Sequence, residues 1–163
     1  MITAVDTSVL LDVFTADPTH GTASFEALRH CLAGGSLVAC EVVWAEVAAA
    51  FGSPELALDA MQRVGIGFEP LNTAASLDAG AASRLYRSRG GTRARVIADF
   101  LIAAHAGVAA RRLLTRDRGF FRTLLRRAHR DRSDQYEPRL TTALSPRSLA
   151  PYSRHGAGLK QTW

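Results

Sequence analysis

The sequence predicts an α/β fold, a short parallel sheet flanked by helices, and three observations carry that expectation. Apolar runs of strand length alternate with longer segments of helical spacing through residues 1–115. Paired glycines, or the break Gly52-Ser53-Pro54, close several of the helical segments. Strand–helix units of this size join parallel strands by right-handed crossovers, which places helices on both faces of the sheet. A chain of 163 residues with 47% hydrophobic and 21% charged content is one compact domain, and neither a disordered chain nor a fibrous repeat.

Taken in order, Ile2–Val5 is a short buried strand running into Asp6-Thr7-Ser8, three residues that favour helix N-caps, before a helix from Val9 to Phe14. Thr22–Leu32 has helical spacing at Phe25, Leu28 and Leu32 and stops at Gly34-Gly35. Ser36–Ala39 is the second strand. Glu41–Phe51 is helical, with Val43, Val47 and Phe51 on one side, and Glu55–Val64 is a further helix. Ile66–Leu71 is a strand, Thr73–Arg89 a helix ending at Gly90-Gly91, Val96–Ala110 a strongly apolar helix and Arg112–Thr115 a strand. Beyond Leu125 periodicity fails, so residues 1–125 are expected to form the domain and 126–163 a flexible basic tail.

Several function classes drop out. The longest apolar run, Phe100–Ala110, falls short of the roughly 18 to 20 residues of a spanning helix, and the first apolar run carries Asp6 and Asp12 with no basic residue before it. No membrane partner and a cytoplasmic location are the expectations. Cys31 and Cys40 are too few for a zinc centre or a disulfide framework and are expected to be buried thiols. Gly65-Ile66-Gly67 lacks the third glycine of a dinucleotide loop, Lys160 is followed by Gln161 rather than Ser or Thr, and no G-x-S-x-G elbow occurs. An aspartyl phosphatase built on Asp6 meets Ser8 where the second aspartate belongs.

Charge is unevenly placed. Residues 1–115 hold 9 basic and 11 acidic side chains, residues 116–163 hold 11 and 4, and nineteen of the 20 basic residues are arginine. Arginine's planar fork suits phosphate and carboxylate partners, so RNA or an acidic protein joins the candidates beside a plain solvated tail.

Ligands of α/β sheets sit at the carboxyl ends of the strands. Asp6 follows the first strand, Glu46 lies in the helix after the second, and Asp117 follows Arg112–Thr115. Asp99 is the only acid between Gly80 and Arg116, and its neighbours Val96, Ile97, Phe100, Leu101 and Ile102 leave little room for an exposed face. Singly, each acid has an ordinary role as a cap, a turn residue or a solvated helix residue. If they converge, two carboxylates about 4 Å apart repel by about 4 kcal/mol at an effective dielectric near 20. Hard oxygen donors then point to Mg²⁺, or Mn²⁺, and to phosphodiester hydrolysis by an activated water.

The segments VDTSVLLD, VVWAEV, ARVIADFLIAAHA and LLTRDRGFF, in this order and spacing, resemble PIN-domain ribonucleases of the VapC toxin type over about residues 1–122. The resemblance implies a PIN-like sandwich, Mg²⁺-dependent endonuclease action on an RNA substrate, a homodimer and a cognate antitoxin. It carries the family's acidic quartet onto Asp6, Glu46, Asp99 and Asp117, with Asp6 and Asp99 as direct metal ligands. Thr7, Ser8 and Thr115 match hydroxyl positions beside those acids, Arg95 and Arg116 are candidate phosphate contacts, and Asp12 and Asp17 fall outside the motif positions. Relatives close with an apolar strand soon after this point. Here RTLLRRAHRDRSDQYEPRL takes its place, which predicts loss of the last sheet strand and leaves a catalytically inactive RNA- or antitoxin-binding protein as the alternative.

Overall fold

The computed structural model describes residues 1–92, 96–117 and 119–122, together with the backbone of residues 139–141. Its elements run β1 (Ile2–Val5), α1 (Thr7–Phe14), α2 (Gly21–Ala33), β2 (Ser36–Ala39), α3 (Glu41–Ala48), α4 (Pro54–Val64), β3 (Ile66–Phe68), α5 (Thr73–Ser88), α6 (Ile97–Ala109), β4 (Arg112–Leu114) and β5 (Arg139–Thr141). Residues 119–122 add one helical turn. The strands lie in the order β3-β2-β1-β4-β5, every neighbouring pair parallel. This is the α/β fold the sequence predicts.

β1 holds the central place, and Thr3, Ala4 and Val5 are all buried, as a strand covered on both faces requires. Around it lie Leu10, Leu28, Leu37, Met61, Phe100, Leu113, Leu114 and Phe121, each almost without exposure. Cys31 and Cys40 are free and buried, and burial pushes both thiols up from their ordinary value. His105, on α6, is a core histidine: burial holds its imidazole below the ordinary value, and its Nε2 has no hydrogen-bond partner among the described residues.

Several boundaries differ from expectation for local reasons. α1 starts at Thr7 rather than Val9, directly after the strand. α3 ends at Ala48, because residues 49–51 tighten into turns with Ala50 N–H on the Val47 carbonyl and Phe51 N–H on that of Ala48. β3 stops at Phe68: Pro70 has no N–H to offer a ladder, and the Leu71 N–H donates to the Glu41 carboxylate instead. α4 begins as its signals dictate, the Ser53 hydroxyl accepting from Leu56 N–H with Pro54 in the first turn. It ends at Gly65 with φ 77°, a left-handed conformation that suits glycine.

The expected loss of the last strand is corrected by β5. Arg139–Thr141 pair with Arg112–Leu114, so the sheet continues one strand beyond β4. The ladder needs only backbone donors and acceptors, so a strand can form without the apolar alternation that sequence reading depends on. The other residues of the expected tail, 126–138 and 142–163, lie outside the described residues, as does Arg95.

Candidate active site

Parallel pairing of Val5 with Leu114 sets the next residues of both strands, Asp6 and Thr115, side by side beyond the ladder, with Asp6 N–H on the Leu114 carbonyl at 2.9 Å. Asp6 occupies the N-cap position of α1 in extended geometry (φ −81°, ψ 148°), yet its side chain makes no capping bond. Its Oδ2 instead accepts from Ser8 Oγ at 2.5 Å and from Thr115 Oγ1 at 2.8 Å. The residue is 7% exposed. Burial raises its pKa from the ordinary value, the two hydroxyls pull it down, and the charges of Asp99 and Glu46 push it up again. Three of the four expected acids therefore form one electrostatic group.

Glu46 reaches that group from α3. It is an exposed helix residue, and its Oε2 accepts a short hydrogen bond from Thr7 Oγ1, the first residue of α1. Asp99, in the first turn of α6, accepts from Val96 N–H at 3.2 Å, the ordinary role of a first-turn acid. The expectation that its neighbours deny it an exposed face is corrected: Val96 and Ile97 are 57% and 49% exposed, and burial on α6 begins with Phe100. The helix enters from the surface at its N-terminus, so its apolar composition is not matched by burial there.

Asp117 joins through Thr115. Its N–H donates to Thr115 Oγ1 at 3.0 Å, and its Oδ1 accepts from Phe120 N–H at 3.2 Å, closing the turn that opens residues 119–122. Thr115 thus bonds Asp6 with its proton and Asp117 with its lone pair. The turn is docked by rings: Phe120 meets Phe100 edge to face at 5.3 Å between centroids, and Tyr86 meets both. Phe100 follows Asp99 in sequence, so the cluster ties the start of α6 to the Asp117 turn.

Among the described residues, no three of His, Cys, Asp and Glu stand close enough to enclose a metal ion as placed. The donor set is nonetheless that of a hard cation: carboxylates and hydroxyls, without thiolate or imidazole. Burial is the main cause that raises the pKa of Asp6, with the charges of Asp99 and Glu46 adding to it, and a cation bound beside the carboxylate would offset both.

A family model described as the PIN domain matches residues 3–124. The chain belongs to the PIN-domain family. No curated protein matches the sequence. Solved structures similar in fold include VapBC2 from Rickettsia felis bound to a DNA fragment from its promoter, at 17% identity and TM-score 0.60, with 75% of this chain and 92% of that chain covered. VapBC-1 from nontypeable Haemophilus influenzae is similar at 19% identity and TM-score 0.58, covering 75% and 91%. DNA-bound VapBC from Salmonella typhimurium is similar at 16% identity and TM-score 0.57, covering 88% and 99%. At these identities the likeness is one of fold.

Within this PIN domain, the hydroxyls of Thr7, Ser8 and Thr115 all hold carboxylates. Arg116, expected to meet phosphate, has its Nε on Asp12 Oδ2 at 3.1 Å. Asp12, set outside the site by sequence position, is 3% exposed and also accepts from Ser24 Oγ at 2.6 Å. Its signal in the sequence is faint: it stands four residues after Ser8, on the same side of α1. Asp17 is a surface turn residue whose Oδ1 accepts from His20 and Thr19 N–H, bonds that hold its carboxyl below the ordinary value. Among the described residues no helix is long and apolar enough to cross a membrane.

Proposed function

We propose that this PIN domain is a Mg²⁺- or Mn²⁺-dependent endoribonuclease, the toxic component of a VapC-type toxin–antitoxin pair. The observation that carries the proposal is the Asp6 carboxylate, buried at the carboxyl end of β1 and fixed through its Oδ2 by Ser8 and Thr115, with the charges of Asp99 and Glu46 bearing on it. Asp6 and Asp99 are the residues that would hold the ion, and Glu46 and Asp117 complete the site directly or through water. Bound there, a divalent ion supplies an activated water and neutralises charge on the leaving oxygen.

The chain's own residues supply positioning. Ser8 and Thr115 fix the Asp6 carboxylate by its Oδ2. Thr7 fixes Glu46, and the Phe100–Phe120 contact links the start of α6, which carries Asp99, to the turn that carries Asp117. No side-chain nucleophile is needed.

The likeness in fold to three VapBC structures, two of them bound to DNA, supports a cognate antitoxin as partner for this chain. A homodimer is the expected assembly.

Labelled tRNA and rRNA incubated with purified protein, with and without Mg²⁺ or Mn²⁺ and beside Asp6→Asn and Asp99→Asn, tests the proposal. Cleavage that needs metal and disappears in both variants is the expected result. A folded protein that binds metal or antitoxin but leaves every RNA intact would establish the non-catalytic alternative.

A further inference from the structure

Asp12 is a carboxylate in the last turn of α1, where the helix dipole disfavours negative charge, and it is 3% exposed. It is held by two partners, Ser24 Oγ at 2.6 Å and Arg116 Nε at 3.1 Å. A buried ion pair gives little net stability over an apolar pair of the same shape, so its value lies in the geometry it imposes. That geometry falls on the middle of a three-residue turn whose other two side chains belong to the acid site. Thr115 donates to Asp6, and Asp117 is bonded to Thr115.

We propose that Asp12 is a positioning residue for the acid site, acting through Arg116 to set the Thr115–Asp117 turn against Asp6. The catalytic consequence rests on the nuclease proposal above. The structural consequence does not. Arg116 is anchored by Nε, so rotation of the turn about the backbone strains the contact with Asp12, and the Thr115 hydroxyl stays on Asp6. Without the anchor the turn loses its link to α1, while the Thr115 hydroxyl bonds and the bonds of the Phe120 and Phe121 N–H groups to Asp117 remain.

Backbone amide exchange, measured by NMR on the full chain, reads the turn directly. Asp12→Asn keeps side-chain volume and an acceptor for Ser24, and it is expected to speed exchange at the Asp117 amide about 10-fold while the β1 amides stay as they are. Arg116→Gln breaks the same contact from the more exposed partner and should do the same, whereas Arg116→Lys, which keeps a cation for Asp12, should stay within about 3-fold of the parent protein. In RNA cleavage, Asp12→Asn is expected to lower kcat about 10-fold with KM within about 2-fold, because Asp12 touches no substrate. An unchanged Asp117 amide in folded Asp12→Asn and Arg116→Gln overturns the proposal, as does a raised KM with unchanged kcat, which would make Arg116 an RNA contact. If the parent protein cleaves no RNA, the nuclease proposal fails alone, and amide exchange still decides the role of Asp12.

Discussion

The two ends of α1 treat a buried carboxylate in opposite ways. Asp6, just before the first turn, is 7% exposed and meets two hydroxyls and the charges of two further carboxylates. Asp12, in the last turn, is 3% exposed and meets one hydroxyl and a guanidinium. Burial is nearly the same, and the difference is the sign of the neighbouring charge. The chain neutralises Asp12 from within and leaves Asp6 in a surplus of negative charge. The first arrangement ties α1 to the turn after β4, and the second keeps the buried Asp6 carboxylate against hydroxyls and further carboxylates.

The largest expected effect comes from breaking the neutralised end. Arg116→Leu leaves the Asp12 carboxylate buried without its cation and is expected to cost about 2–4 kcal/mol, somewhat below the figure for a fully enclosed pair because Arg116 is partly exposed. Urea unfolding measures it, and a loss under 1 kcal/mol would mean that water reaches Asp12.

Thr115→Val comes next. The change is close to isosteric but takes a donor from Asp6 and an acceptor from the Asp117 N–H, for an expected loss of about 1–3 kcal/mol. A melt unchanged by the substitution would show that both groups find other partners.

At the charged end the sign reverses. Because the folded protein raises the pKa of Asp6, its ionised form opposes folding: stability is greatest below the unfolded-state value, 3.8, and falls as pH rises through the higher folded value. Asp6→Asn, which keeps an acceptor for Ser8 and Thr115, should therefore stabilise the metal-free protein at pH 7 by on the order of 1 kcal/mol. The gain should vanish as pH falls below the ordinary carboxylate value, and added Mn²⁺ should stabilise the parent protein but not the variant. A variant less stable than the parent at pH 7 would contradict the cost of burying the Asp6 charge.

The smallest effect lies away from both ends. His105 is held below its ordinary value of 6.5 by burial, so its contribution is present above that pH and is lost as pH falls through the lower folded value. His105→Leu should flatten the fall in stability on that acid side, measured as unfolding midpoints across a pH series. An unaltered slope would assign the fall to the carboxylates.

Much of the fold was open to sequence reading because short apolar runs and glycine stops are local signals. β1, β2 and α4 needed nothing beyond them, whereas β3 ends at Phe68 because the Leu71 N–H donates to Glu41, thirty residues before it in the chain. Asp6 and Asp117 were legible as residues that follow strands and Asp99 as one that opens a helix, whereas Glu46, inside α3, was singled out by the family motif.

By itself, the sequence determined the α/β class, the PIN-type motif order and the identity of the carboxylates, since each depends on residue type and near spacing. Tertiary structure alone decided what each carboxylate faces. Ser8 reaches Asp6 across one turn, but Thr115 reaches it only because β1 and β4 are neighbours, and Arg116 reaches Asp12 for the same reason. Charge acts through space, so a carboxylate's chemistry is set by residues that stand a hundred positions away in the chain and a hydrogen bond away in the fold.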